Sequence, residues 1–392
     1  MSNPNNPERY AARGVSAAKE DVYKAIGSLD KGLFPNAFCK ILPDVLGGDN
    51  NFCNVVHADG SGTKSSLAYL YWKETGHLDV WKGIAQDAIV MNTDDMLCAG
   101  IVDNMVYCSI VNRNKRLIPA EVLQALIGGA SEFFDKLREH GINILYGGGE
   151  TADLGDVVRT VTVDSTISAR LPKSEIIEAN IQPGDVILGL ASYGQATYED
   201  AYNSGIGSNG LTAARHETLH SDYRDYEETY DPSLETSLVY SGKVKLTDRF
   251  EDAPVDAGRL LLSPTRTYAP LMKKVLAHHR SKIHALIHCT GGGQKKVMHY
   301  APQNVRIVKD NWLPVPHVFR MIQLQGATPW QQMYEIFNMG HRMEVYTDSE
   351  TAKAIADVAS QFKIESTVIG RVEASNKRAL VLETPHGAFE YV

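Results

Sequence analysis

At 392 residues with 43% apolar side chains, the chain is long for a single core, and the usual domain size favours two units of roughly 150 to 200 residues. A formal charge of −8 without a long basic run excludes nucleic acid as the main partner, because binding a phosphate backbone needs clustered Lys and Arg. No run of about 18 apolar residues offers a membrane span. Five scattered cysteines without a C-x-x-C pair (Cys39, Cys53, Cys98, Cys108, Cys289) read as reduced thiols of a cytoplasmic protein, so small-molecule chemistry is the default.

The opening MSNPNNPERY holds no apolar signal core, so secretion is not expected. Val22 to Leu29 reads as a short helix and Pro35 to Asn51 as loop. Cys53 to Ala58 is a buried-strand pattern that stops at the Asp-Gly of HADGSGTK, His57 to Lys64. This glycine-rich stretch is not the familiar P-loop, which needs glycine directly before its lysine; Thr63 stands there. Asp79 to Ala99 reads as a helix ended by Gly100, Asn104 to Val111 as a strand, and Pro119 to about His140 as a helix stopped by Gly141. Ile142 to Tyr146 is a strand entering Gly147-Gly148-Gly149, and Val157 to Ser168 alternates as another. The first half is therefore α/β with mixed connections. A polar linker begins near residue 171, which divides the chain into domains at 1–171 and 172–392.

In the second half VILGLAS, after Gln182-Pro183-Gly184-Asp185, is an apolar strand. A helix follows Ser208-Asn209-Gly210, and a charged, tyrosine-rich stretch runs from about His216 to Asp252. Then come a helix from Pro264 to His279, a strand from Lys282 to His288 and a helix after Gly291-Gly292-Gly293. Helix Trp330 to Phe337, strand Arg342 to Tyr346, helix Glu350 to Phe362 and two strands complete the chain.

Three features suggest chemistry. The mostly apolar helix GIAQDAIVMNTDDMLCAG carries Asp87, Asp94 and Asp95; seven residues place Asp87 and Asp94 on one face, with Asp95 turned away by about 80°. Buried carboxylates are costly unless paired or bound to metal, so the helix invites a cation, although an exposed acidic face is the plain alternative. YGGGETAD sets Glu150 and Asp153 directly after three glycines that let a backbone approach a ligand, or simply turn. Together with Asp59 these carboxylates form an array able to hold Mg²⁺, which completes its octahedron with water and nucleotide phosphates, and Lys64 would neutralise a phosphate oxygen. In IHCTGGGQKKV, Thr290 and the three glycines lie between strand and helix, where free N–H groups suit a phosphate monoester or merely a tight turn. His288 before it could act as acid or base. The cluster of His278, His279, His284 and His288 has no ligand at zinc spacing, so zinc is not expected.

HADGSGTKSSLA, the Asp87 to Asp95 helix, YGGGETAD, LPKSEII, GSNGL, LLSPTRTYAP, HALIHCTGGG and FNMG occur in the order found in aminoimidazole ribonucleotide synthetase, also called phosphoribosylformylglycinamidine cyclo-ligase. From about Tyr10 onward the chain resembles that family. The resemblance implies an α/β (α+β), two-domain synthetase whose N-terminal domain dimerises through a β-barrel-like interface and whose C-terminal domain is an α/β sandwich. It implies ATP-dependent closure of formylglycinamidine ribonucleotide to aminoimidazole ribonucleotide in purine synthesis, by a homodimer using ATP and Mg²⁺. By motif, Asp59, Gly60, Gly62, Thr63, Lys64, Asp87, Asp95, Gly148, Gly149 and Glu150 would bind nucleotide, with Asp59, Asp87, Asp95 and Glu150 on the metal. Ser208, Asn209, Thr290, Gly291, Gly292 and Gly293 would face the ribonucleotide, while His288 and Lys64 would be catalytic. Helical geometry pairs Asp87 with Asp94, whereas the motif picks Asp95.

The chain also departs from the family. The family's glycine-rich lid segment is here LFPNAFCKILPDVLGGDN, and Gly207 replaces a histidine before Ser208. Two other readings therefore stand beside the cyclo-ligase: a sister enzyme phosphorylating another substrate, or a non-catalytic nucleotide-binding scaffold. A selenophosphate synthetase would need a reactive cysteine in a glycine-rich loop, which Cys39 lacks.

Overall fold

The computed structural model describes residues 12–15, 24–25 and 27–392; of the helix expected from Val22 to Leu29, Lys24 and Ala25 are helical, Gly27 to Leu29 form a turn, and Val22, Tyr23 and Ile26 lie outside the described residues. Two sheets organise the chain. The first has the order β1-β2-β5-β3-β4, built from β1 (Ile41–Pro43), β2 (Phe52–Gly60), β3 (Met105–Arg113), β4 (Ile144–Asp153) and β5 (Val161–Pro172). Only β3 and β4 run parallel. Within one chain this sheet stays open, with β1 and β4 as its edges.

Helix α1 (Lys64–Thr75) leaves the end of β2, followed by α2 (Val80–Cys98) and α3 (Ala120–Glu139). The second sheet has seven strands in the order β14-β13-β10-β12-β6-β11-β9. Its members are β6 (Val186–Ala191), β9 (Ile283–His288), β10 (Val305–Lys309), β11 (His341–Thr347), β12 (Ser366–Ala374), β13 (Ala379–Thr384) and β14 (Gly387–Tyr391), and a small hairpin pairs β7 (Tyr193–Gly194) with β8 (Asn203–Ser204). Helices α4 (Leu211–Thr218), α5 (Ala257–Leu262), α6 (Ala269–His279), α7 (His317–Gly326), α8 (Trp330–Ile336) and α9 (Ser349–Gln361) complete this half. The whole is a mixed α/β fold. Among the described residues no helix is long and apolar enough to cross a membrane.

Helix α2 lies at the centre. It packs on β2 and β5 of the first sheet and on β9 of the second, so every residue except Lys82 and Gln86 is buried. Its three carboxylates are therefore interior groups, and the exposed-face alternative fails for this helix.

Several local expectations change. The glycines of YGGGETAD do not form a turn: they continue β4, and its pairing with β3 slips between Tyr107 and Ser109. Pro264 to Tyr268 is irregular rather than helical, because its N–H and hydroxyl groups bond α2 carboxylates and Pro270 lies in the first turn of α6. The segment after Gly292 is a seven-residue 3-10 helix, Gly293–His299. The His216 to Asp252 stretch is a series of turns with Arg215 buried beneath it, donating to Thr229 O and the Tyr240 hydroxyl.

Candidate functional site

The three α2 carboxylates diverge along the helix. Asp87 accepts from the Lys64 ammonium at 2.9 Å, from Thr265 N at 2.8 Å and from the Thr265 hydroxyl at 2.5 Å, all on Oδ1. Its other oxygen takes no partner. Lys64 also donates to Ser263 O at 2.6 Å, and neither Lys64 nor Asp87 has any exposed side chain. One turn-pair on, Asp94 accepts from the Thr267 hydroxyl at 2.7 Å and from Tyr268 N at 3.0 Å; burial raises its carboxyl above the ordinary value. Asp87 and Asp94 thus share the helix face that fixes the loop before α6, as their spacing predicts.

Asp95 turns to a different neighbourhood. Its Oδ1 lies 2.7 Å from His288 Nδ1, and Oδ2 lies 3.5 Å from His57 Nε2. Burial pushes this carboxyl up, but the hydrogen bond from His288, with His57 and Lys296 nearby, outweighs it, so it lies below the usual carboxylate range. His288 is fully buried and accepts on Nε2 from the Arg342 guanidinium at 3.2 Å. This fixes its tautomer, with Nδ1–H donating to Asp95, and occupies both ring nitrogens. His57 is only partly buried; its Nδ1 bonds Asn92 Oδ1 at 2.8 Å, and Asn92 also donates to Asp59 O at 3.3 Å.

Asp59 closes β2 half-buried, with Gly60 N donating to its Oδ1 at 2.7 Å. Register places Gly60 opposite Asp164, and a Cβ at position 60 would collide with the Asp164 carboxylate, so glycine permits that approach. Burial raises the Asp164 carboxyl. The same row continues through Ile110 to Glu150 on β4. Three strand spacings separate Gly60 from Glu150, roughly 14 Å, so Asp59 and Glu150 of one chain are not brought around a single ion. Asp153 is ion-paired with Arg113 at 2.8 Å.

The loops of the second half close over the end of α1. The Thr63 and Thr212 hydroxyls meet at 2.9 Å, joining DGSGTK to the helix that follows Ser208-Asn209-Gly210. Asn338 of FNMG bonds Ser192 at 2.9 Å, Gly205 O at 2.8 Å and, through its own carbonyl, Gln294 at 2.7 Å. Gly293 sits at φ +48°, with Tyr334 O where a Cβ would stand, which holds the TGGG loop against α8. Gly207, Asn209, Thr290, Asn338, Met91 and Arg342 line a small cavity among these loops. Four groups escaped the residue reading. Asp164 was visible in the alternation of its strand, His57 and Asn338 stand inside quoted motifs, and Arg342 is a charge at the head of an apolar strand.

Comparisons with known proteins match this arrangement. Residues 43–170 match the AIR synthase related protein, N-terminal domain, and residues 182–383 the AIR synthase related protein, C-terminal domain. The phosphoribosylformylglycinamidine cyclo-ligase of Methanococcus vannielii is 29% identical over 326 residues, covering 81% of this chain and 77% of that protein. That of Pyrococcus furiosus is 29% identical over 340 residues, 85% and 82% of the two. Among solved structures, Thermotoga maritima PurL complexed with ADP aligns over 98% of this chain at a TM-score of 0.56 and 11% identity. This chain spans 51% of that protein's length. A chain of the HypE-HypF complex aligns over 96% of this chain and 99% of its own, with a TM-score of 0.55 and 14% identity. With both halves matched in order, the chain belongs to the AIR synthase related protein family.

Proposed function

We propose that the chain is an ATP-dependent cyclo-ligase that closes formylglycinamidine ribonucleotide to 5-aminoimidazole ribonucleotide in purine biosynthesis. The observation that carries this reading is the meeting of DGSGTK, the helix after SNG and the TGGG loop beside α2, with Thr63 and Thr212 2.9 Å apart. The cyclo-ligase relatives support the reaction, and the fold shared with a protein solved with ADP supports nucleotide binding. In this reading residues 1–171 handle nucleotide and pair two subunits, and residues 172–392 bind the ribonucleotide.

The reaction begins when the amide oxygen attacks the γ-phosphate and displaces ADP, leaving an imidoyl phosphate; an amidine nitrogen then closes the ring and expels phosphate. Phosphoryl transfer needs positioning and charge neutralisation. Asp59, at the end of β2 on the side that faces α2, offers a carboxylate to Mg²⁺, an ion that keeps several waters and phosphate oxygens. Bound there it would supply charge neutralisation at the transferring group. Lys64, sealed against Asp87, acts by holding the end of β2 to the second half rather than by touching phosphate. His288 is fully buried with both ring nitrogens in hydrogen bonds. His57, two residues before Asp59, keeps some exposure and has only a 3.5 Å contact to Asp95 on Nε2, so ring-closure proton transfer falls to His57.

The test is to supply purified protein with formylglycinamidine ribonucleotide, ATP and Mg²⁺ and to measure ADP and aminoimidazole ribonucleotide together. Equal amounts of the two are expected. ATP turnover without the imidazole would point to the sister-enzyme reading, and absence of ATP binding would overturn both. Asp59→Asn should lower turnover roughly 100-fold or more while the thermal midpoint stays near that of the parent, because Asp59 is only half-buried.

A further inference from the structure

We infer that Asn92 is a positioning residue that holds the neutral His57 ring with its proton on Nδ1, so that Nε2 is the nitrogen able to take a proton in ring closure. The inference rests on the role proposed for His57 above. Asn92 lies on α2 and is fully buried. Its amide nitrogen is surrounded by acceptors: Ser165 Oγ at 2.8 Å, Ala88 O at 3.1 Å, and Asp59 O and Ser165 O each at 3.3 Å. The Ser165 hydroxyl donates its own proton to Ala88 O at 2.9 Å, so toward Asn92 its oxygen accepts. Turning the amide over would set its oxygen against three carbonyl oxygens, so Oδ1 has to face His57.

That oxygen lies 2.8 Å from His57 Nδ1 and has no hydrogen to offer, so Nδ1 is the donor and the neutral ring keeps its lone pair on Nε2. Asp95 pulls the other way, because its Oδ2 near Nε2 would favour a proton there. Distance settles the competition. The Asp95 contact, at 3.5 Å, is longer than a hydrogen bond, whereas a bare Nδ1 would set its lone pair against Asn92 Oδ1 at 2.8 Å. Asp95 serves the other protonation state. When the ring-forming nitrogen gives up its proton, that N–H bond breaks, its electron pair stays on nitrogen and Nε2–H forms. The imidazolium then has Asn92 Oδ1 before one N–H and the Asp95 carboxylate before the other, until the proton passes to water. The Asp95 oxygen facing His57 is not the one bonded to His288, so the two histidines do not compete for it. The His57 side chain keeps 21% of its surface exposed, which leaves the ring open to exchange with solvent.

The experiment is long-range proton–nitrogen correlation spectroscopy of the full chain carrying nitrogen-labelled histidine, with the His57 signals assigned by their loss in His57→Gln. Spectra are recorded at rising pH until the His57 ring is neutral. The parent should then show a protonated Nδ1 and a bare Nε2. In Asn92→Ala the proton should move to Nε2, beside Asp95, and kcat for aminoimidazole ribonucleotide should fall about a hundredfold while KM for ATP stays within about twofold. A merely structural role would leave the tautomer as it is. A parent whose neutral His57 carries its proton on Nε2 overturns the inference, as does an Asn92→Ala protein with the parent's tautomer or turnover. If Asn92→Ala does not fold, the parent spectrum decides alone. A parent with the expected tautomer that forms no aminoimidazole ribonucleotide would sink the cyclo-ligase reading and leave the hold of Asn92 on His57 standing.

Discussion

Lys64 and Asp87 show how a neighbour decides what a charged residue does. Burial lowers the Lys64 pKa, and only the charge and hydrogen bond of Asp87 oppose it. A solvated lysine at the same position would be available to phosphate; this one is committed to Asp87 and Ser263 O, and so ties α1 to α2 and to the loop before α6. Removing one partner strands the other in the interior, which costs about 3–5 kcal/mol. Lys64→Met is therefore expected to lower the unfolding free energy by about that amount in a urea titration, with turnover falling alongside. Replacing both residues, Lys64→Met with Asp87→Leu, should return part of the stability without the activity. A Lys64→Met protein as stable as the parent but inactive would restore Lys64 to direct phosphate contact.

At the scale of elements, local pattern reached the strands and helices whose hydrogen bonds close locally. Helices α2 and α3 lie within about a residue or two of the pattern's bounds, and β2, β3 and β11 follow their apolar runs. The segment Pro264 to Tyr268 was illegible as a loop because its partners, Asp87 and Asp94, are far away in sequence. The spacing of seven did place those two aspartates on one face; what that face meets is a long-range fact. Strand β11 makes the same point, since Glu344 reads as a charge in an apolar run. Its carboxylate is fully buried, bonded to Lys309, to His341 Nε2 at 3.1 Å and to the Tyr346 hydroxyl at 2.8 Å. Cys289, His341 and Glu344 hold their ligand atoms within 4.8 Å of one another, but the Lys309 ammonium already supplies the positive charge there. Burial pushes the Glu344 carboxyl up, and Lys309 with His341 overcomes this and brings it down to about 2 from 4.5. A carboxyl depressed in the folded state contributes stability above its ordinary pKa, lost as pH falls toward the folded value. Unfolding free energy is expected to decline from pH 4.5 toward about 2. Glu344→Gln should be less stable at neutral pH and should flatten that decline; parallel curves for the two proteins would rule the pair out as its source.

At the scale of the whole molecule, the first sheet has one face on α2 and one face without cover from the described residues of its own chain. On the open face a single row runs Val56, Ser168, Val106, Leu145 across four strands. Its three apolar members are 52%, 42% and 68% exposed, and Ile110 nearby is 40% exposed. An apolar stripe across a sheet in water marks a surface that is covered in solution, and a second copy laid face to face would cover it with an identical stripe. Two such sheets closing on each other would give the barrel-like interface that the resemblance implies, and would place Glu150, at the edge strand, beside the partner's sheet. The sandwich would also leave α2 and the second-half loops of each subunit undisturbed on the far side, so pairing and substrate access do not compete. Light scattering is expected to give twice the chain mass for the parent. Leu145→Glu, which puts a charge at the most exposed point of the stripe, should give a monomer with an unchanged far-ultraviolet circular dichroism spectrum. A parent that is monomeric at micromolar concentration, or a Leu145→Glu protein that remains dimeric, would show that this face is not the subunit contact.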